Sequence, residues 1–157
     1  MFRPGAIEGV VIKELIKHAD RRGWLTELFR HDDLDGQYHP QMAYVSVTKA
    51  RNVRGPHEHA VQTDLFCFLG PSNFEIYLWD NRTESPTYQN KMVIIAGEDE
   101  PRSILVPPGV VHAYKNIGPR EGTIVNCPNR LYAGEDRKEQ VDEIRHEDDP
   151  NTVFQLD

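Results

Sequence analysis

Apolar positions in this chain come in short runs, and clusters of Gly, Pro, Asn and Asp separate them. Residues 7–15 and 24–30 read as strands joined through the Asp20-Arg21-Arg22-Gly23 turn. Residues 42–48 alternate less cleanly but are β-branched and apolar. Residues 65–69 and 74–79 read as successive strands around Gly70-Pro71-Ser72-Asn73, and residues 92–95, 104–106, 110–115 and 123–127 add four more. Regularly spaced strands with turn signals predict an all-β sandwich or barrel. No long segment of helical periodicity competes, and the stretch 135–145 is the one candidate for a short helix. The expectation is a single β domain over 1–157, with its core at about 7–132 and an acidic, solvated tail at about 135–157.

Charge narrows the partners. The net charge is −7, and much of it falls late, in Glu135-Asp136, Asp142-Glu143 and Glu147-Asp148-Asp149. Nucleic-acid binding, which needs a basic surface, is not expected. An anionic substrate would need locally placed arginines. Two cysteines, Cys67 and Cys127, make neither a disulfide framework nor a thiolate metal cluster. No apolar run approaches a membrane span, and Met1-Phe2-Arg3-Pro4-Gly5 does not open a signal peptide. A cytoplasmic protein without membrane contact is expected.

Candidate chemistry concentrates in two stretches. Arg54-Gly55-Pro56-His57-Glu58-His59, with Asp64 downstream, is one; Pro107-Pro108-Gly109-Val110-Val111-His112 is the other. They hold three of the seven histidines. Histidines two positions apart on a strand project to one face. Read as chemistry alone, His57, His59, Asp64 and His112 could hold a divalent metal such as Zn, Fe, Ni or Mn, with positions left open for water or substrate. A metal-free site, with a histidine as proton-transfer base, is the other option.

The pattern His-x-His, an acid, then Pro-x-Gly-x-x-His resembles the two signature motifs of the cupin superfamily, small β-barrels or jelly rolls. Asp64 stands where that pattern usually has Glu. The surrounding motifs resemble one branch, the dTDP-4-dehydrorhamnose 3,5-epimerase family. They are Asp20-Arg21-Arg22-Gly23-Trp24-Leu25-Thr26-Glu27, Gln41-Met42-Ala43-Tyr44-Val45-Ser46, Arg54-Gly55-x-His57, and Asp80-Asn81-Arg82-Thr83-Glu84-Ser85-Pro86-Thr87-Tyr88. The resemblance runs in register from about residue 20 to about 132, and it implies a cupin-type barrel.

It also implies an isomerase that removes a proton α to the ketone of a dTDP-linked 4-keto-6-deoxy sugar and returns one from the opposite face, without a cofactor. His57 matches the base, Tyr132 the candidate acid, and Asp149 (or Asp148) the carboxylate that orients the base. Arg22, Glu27, Gln41, Arg54 and His112 match substrate-binding positions. A homodimer is implied, because nucleotide contacts are shared between subunits. The departure is Asp64: the family's active epimerases carry a lysine there, which stabilises the enolate oxygen. A carboxylate has the wrong sign, and at about 4 Å the pairwise term is roughly 4 kcal/mol. Two further readings therefore stand beside the first. One is a metal-dependent cupin enzyme using His57, His59, Asp64 and His112, in which a metal-bound His57 could not also be the base. The other is a non-catalytic sugar-nucleotide-binding homologue.

Overall fold

Strand β8 (Asn73–Asp80) shows how the chain builds its layers. Phe74, Ile76 and Leu78 alternate inward, as a half-buried strand requires. Yet Tyr77 and Trp79, on the opposite face, are buried as well. Something covers both faces. The computed structural model, which describes residues 1–34, 36 and 38–156, shows what does so.

Two sheets face each other. The first joins β1 (Arg3–Pro4), β9 (Asn90–Gly97), β8, β11 (Val110–Asn116), β6 (Val53–Glu58) and β13 (Ile144–Arg145), in that order. The second joins β2 (Val11–Glu14), β10 (Arg102–Val106), β7 (Asp64–Phe68), β12 (Gly122–Asn126) and β5 (Tyr44–Thr48). Between them lies the main core, in which Phe66, Phe68 and Ile104 of the second sheet meet Phe74, Ile94 and Tyr114 of the first. The outer face of the second sheet is partly roofed by the segment before β5, where Leu15 and Tyr38 pack on Leu65, Cys67 and Cys127. The outer face of the first is roofed by the C-terminal segment: Phe154 lies against Trp79 with ring centres 5.8 Å apart. This all-β, two-sheet jelly roll is the fold class the sequence predicts.

Three local expectations need correction. The Asp20-Arg21-Arg22-Gly23 turn joins β3 (His18–Asp20) to β4 (Gly23–Leu25) in a separate hairpin, rather than joining the 7–15 and 24–30 runs. The reason is local: the Asp20 carboxylate accepts the Arg22 backbone N–H at 2.7 Å and closes the chain on its immediate neighbours. Residues 7–15 contribute β2 instead, which pairs with β10. No helix forms over 135–145; a short 3-10 turn at Glu135–Arg137 is followed by β13. The acidic tail is not a free solvated segment either. Asp142 accepts the backbone N–H groups of Ala60, Val61 and Gln62 at 2.8, 3.0 and 2.8 Å, and β13 adds an edge to β6.

Candidate active site

The β6–β11 ladder sets the site. His57 and His112 are directly opposed in register, so their side chains are cross-strand neighbours, with ring centres 4.5 Å apart. The register then shifts before Tyr114↔Arg54. Such a bulge re-aims side chains beside it. Gly55 sits in it at φ 82°, where a Cβ would lie 2.5 Å from the His112 carbonyl oxygen. Only glycine lets the two strands approach so closely. Alternation carries Glu58 away, to Asn81 and His146 at 2.9 Å each, and returns His59 to the side of His57.

Asp64, first residue of β7, lies beneath these rings and is 1% exposed. Its Oδ1 accepts from Gln62 Nε2 at 2.9 Å and from Asn126 Nδ2 at 2.8 Å. Its Oδ2 lies 3.1 Å from His59 Nε2 and 3.7 Å from His112 Nε2. One nitrogen from each of His57, His59 and His112 lies within 4.8 Å of the others. Among the described residues, these three histidines are grouped closely enough to hold a metal, with Asp64 beside them.

Burial and then the neighbouring His59 pull the His57 pKa down to about 4, so its imidazole is the free base at neutral pH. Burial, followed by His57, takes His112 to about 3. Burial also opposes the charged form of His59, but the carboxylate of Asp64 and the Asp142 carbonyl outweigh it and raise its pKa. Asp64 stays below the ordinary carboxylate range, because its histidine partners outweigh its burial.

Above the histidines opens a cleft of about 790 Å³, lined by His57, His59, Gln41, Tyr44, Tyr132 and Glu143 among others. The C-terminal segment forms one wall. It also brings Glu147 to 3.7 Å from His57 Nδ1, beyond hydrogen-bond length but close enough to favour an imidazolium there.

The dTDP-4-dehydrorhamnose 3,5-epimerase family model matches residues 4–151. The chain belongs to that family. As a member it is a nucleotide-sugar epimerase. It is 35% identical over 151 residues to the spore coat polysaccharide biosynthesis protein SpsL of Bacillus subtilis, covering 94% of this chain and 93% of that protein. It is 32% identical over 135 residues to the probable low-salt glycan biosynthesis epimerase Agl13 of Haloferax volcanii, covering 85% and 86%. Among solved structures, a dTDP sugar isomerase from Desulfovibrio desulfuricans superposes with a TM-score of 0.81 at 24% identity, over 95% of this chain and 91% of that one.

Within this epimerase the expected residues are divided. His57, Gln41 and Tyr132 share the cleft, and His112 lies buried below it. Arg54 is turned to β5, where it donates to the Val47 carbonyl at 2.8 Å and to Thr48 Oγ1 at 3.1 Å. Arg22 is exposed on the β3–β4 hairpin and paired with Asp20 at 2.6 Å. Glu27 pairs with Arg30 at 3.3 Å beside a second, smaller cleft of about 230 Å³. Asp149 does not reach His57; its carboxylate accepts the Asn151 N–H at 2.9 Å. The exposed Asp148 pairs with Arg145 at 3.3 Å. The carboxylate of the acidic run that approaches His57 is Glu147, in the turn at His146–Asp148.

Sequence reading also missed Gln62, Asn126 and Asp142, which hold Asp64 and His59. Their one signal was proximity of Gln62 to the histidine motif. The epimerase's Asp80 stretch is structural: Asp80 accepts from Arg82 Nε at 2.8 Å and from Ser85 and Thr87 hydroxyls at 2.6 Å each, fixing the β8–β9 connection.

Proposed function

We propose that the protein epimerises a dTDP-linked 4-keto-6-deoxy sugar at the carbons flanking its ketone. His57 takes the proton from C3 or C5, the bonding pair moves to the ketone oxygen, and a second group returns a proton from the other face. Tyr132, on the wall of the cleft, is our candidate for that donor, since its phenolic O–H can be handed to a carbanion. Tyr44 is the other phenol on the wall; burial raises its pKa to about 12. Glu147 would favour the imidazolium that forms on His57. Gln41 would contact the nucleotide from the cleft. The observation that carries the reading is His57 itself, a half-buried imidazole lining a sugar-nucleotide-sized cleft in a chain of this family.

The test is incubation with dTDP-4-keto-6-deoxyglucose in heavy water. Deuterium should enter at C3, C5 or both; a product with no label at either carbon overturns the reading.

We also read the working form as a homodimer in the cytoplasm. Supporting the first, edge strand β5 exposes Val45 and Val47 in a row. Supporting the second, Cys67 and Cys127 are buried free thiols, as a reducing compartment allows. No helix among the described residues is long and apolar enough to cross a membrane. Sedimentation of the wild type and of Val45→Lys tests the dimer: a wild-type monomer would sink it.

A further inference from the structure

The Tyr44 phenol is oriented by the bond it accepts. Tyr44 opens β5 and stands directly across from Asn126 in the β5–β12 ladder. Asn126 is fully buried, and its amide has a fixed orientation. Its Oδ1 accepts the Leu65 backbone N–H at 3.1 Å, which settles which end of the amide is oxygen. Its Nδ2 gives one hydrogen to Asp64 Oδ1 at 2.8 Å and the other to Tyr44 Oη at 2.9 Å. The phenolic oxygen is therefore the acceptor in that bond, and its own hydrogen points elsewhere. No described residue accepts it. Tyr44 lines the cleft with His57 and His59, so this O–H is left for what the cleft holds.

A hydroxyl that accepts a hydrogen bond is polarised by it and becomes a stronger donor. Burial raises the Tyr44 pKa to about 12 against the opposing effect of Asn126, so the phenol keeps its hydrogen at neutral pH. Its oxygen is tied to a side chain that does not move with the solvent, which is the preorganisation a transition-state donor needs. Tyr132, the other phenol of the cleft, is 59% exposed. Asp64 has the wrong sign to stabilise an enolate, but it does not itself line the cleft. Its Oδ1 is occupied by Gln62 and Asn126, and its Oδ2 faces His59 and His112. Asp64 reaches the cleft wall as the anchor of Asn126.

We propose that Tyr44 is a catalytic hydrogen-bond donor to the ketone oxygen of the sugar, and that Asn126 is the residue that positions it. The role rests on the epimerase reading. As His57 takes the proton, the C–H bonding pair becomes the double bond of an enolate, and the carbonyl π pair moves to oxygen. The Tyr44 O–H bonds that oxygen more strongly as its charge grows, and the proton stays on Tyr44 throughout. When the carbon receives a proton from the opposite face, the pair returns and the bond relaxes. Tyr44 thus acts on the step that Tyr132 does not, the formation of the enolate.

The full chain is given dTDP-4-keto-6-deoxyglucose in heavy water, with label and configuration read by NMR beside steady-state constants. Tyr44→Phe should lower deuterium uptake and product formation together, by about 10²–10³-fold in kcat with KM changed less than about threefold. Asn126→Ala should lower kcat by roughly 10-fold, and adding it to Tyr44→Phe should cost nothing more, since both act on one O–H. Losses that multiply in the double variant overturn the positioning role. Uptake and turnover at the wild-type rate in Tyr44→Phe overturn the donor and leave the epimerase reading standing. Uptake kept while inversion is lost also overturns it, because the phenol would then serve the return of the proton. No uptake by the wild type sinks the epimerase reading and this role with it. If Tyr44→Phe does not fold, a difluorinated tyrosine at position 44 decides, since it keeps the ring and the Asn126 bond but has a more acidic phenol. The alkaline fall in kcat should then move to lower pH, and an unmoved limb overturns the proposal. Asp64, Tyr114 and Glu143, the titratable groups whose charges reach Tyr44, are the same in both proteins.

Discussion

Arg145 stands directly across from His57 in the β13–β6 ladder, and its guanidinium holds Glu147 at 3.0 Å. One short strand thus fastens the C-terminal segment to the strand of the base and sets the carboxylate that faces it. Stability of that segment and chemistry at His57 are linked.

Phe154 is the segment's apolar anchor, 5% exposed and packed on Trp79, Phe2 and His146. Phe154→Ala should cost about 3 kcal/mol. Urea unfolding followed by tryptophan fluorescence measures this, and the same variant should lose turnover because Glu147 and the cleft wall loosen. Stability unchanged within about 0.5 kcal/mol would show that the segment does not depend on this contact.

Separate proton donor and acceptor give separable phenotypes. His57→Asn should lower both deuterium uptake and product formation by about 10²–10⁴-fold. Tyr132→Phe should still let His57 exchange the substrate proton while inversion falls by a similar factor. Label and configuration read by NMR distinguish them. Loss of inversion in Tyr44→Phe but not in Tyr132→Phe would move the donor role to Tyr44.

Glu147 and Asp149 are two positions apart, and only Glu147 approaches His57. Glu147→Gln should lower kcat by roughly 10-fold with little change in KM, since its charge matters most when the imidazolium forms. Asp149→Asn should leave both constants as they were. Steady-state kinetics on the pair checks the assignment, and a larger loss in the Asp149 variant would reverse it.

Asp80 makes a pH signature. Burial works against its ionised form, but Arg82, Ser85 and Thr87 outweigh it and hold its pKa well below the ordinary range. A carboxylate depressed in the folded state contributes stability in full above its unfolded value of ~3.9, and that contribution is lost as pH falls through the lower folded value. Acid unfolding of the wild type should therefore steepen below about pH 4, and Asp80→Asn should flatten that slope. Asp80→Ala should cost about 3 kcal/mol at neutral pH, because Arg82 loses its partner. Denaturant midpoints across pH 2–7 measure both; parallel curves would contradict the assignment.

The sequence by itself determined the later strands, the family and the histidines. Turn residues bounded β7 through β12 closely, because period-two alternation and Gly or Pro punctuation are local signals. His57 and His112 were legible because each lies in a motif whose spacing is set by its own strand. The tertiary structure alone decided what lay between them. Their pairing depends on the β6–β11 register, which belongs to no single segment. Asp64 reads as a sign error beside an enolate until His59, His112, Gln62 and Asn126 close around it. The choice of Glu147 over Asp149 came from β13 joining β6, a contact between residues 88 positions apart for His146 and Glu58. A run of acidic residues looks the same in sequence whether water or a sheet edge receives it. Only the folded chain shows which carboxylate is turned inward.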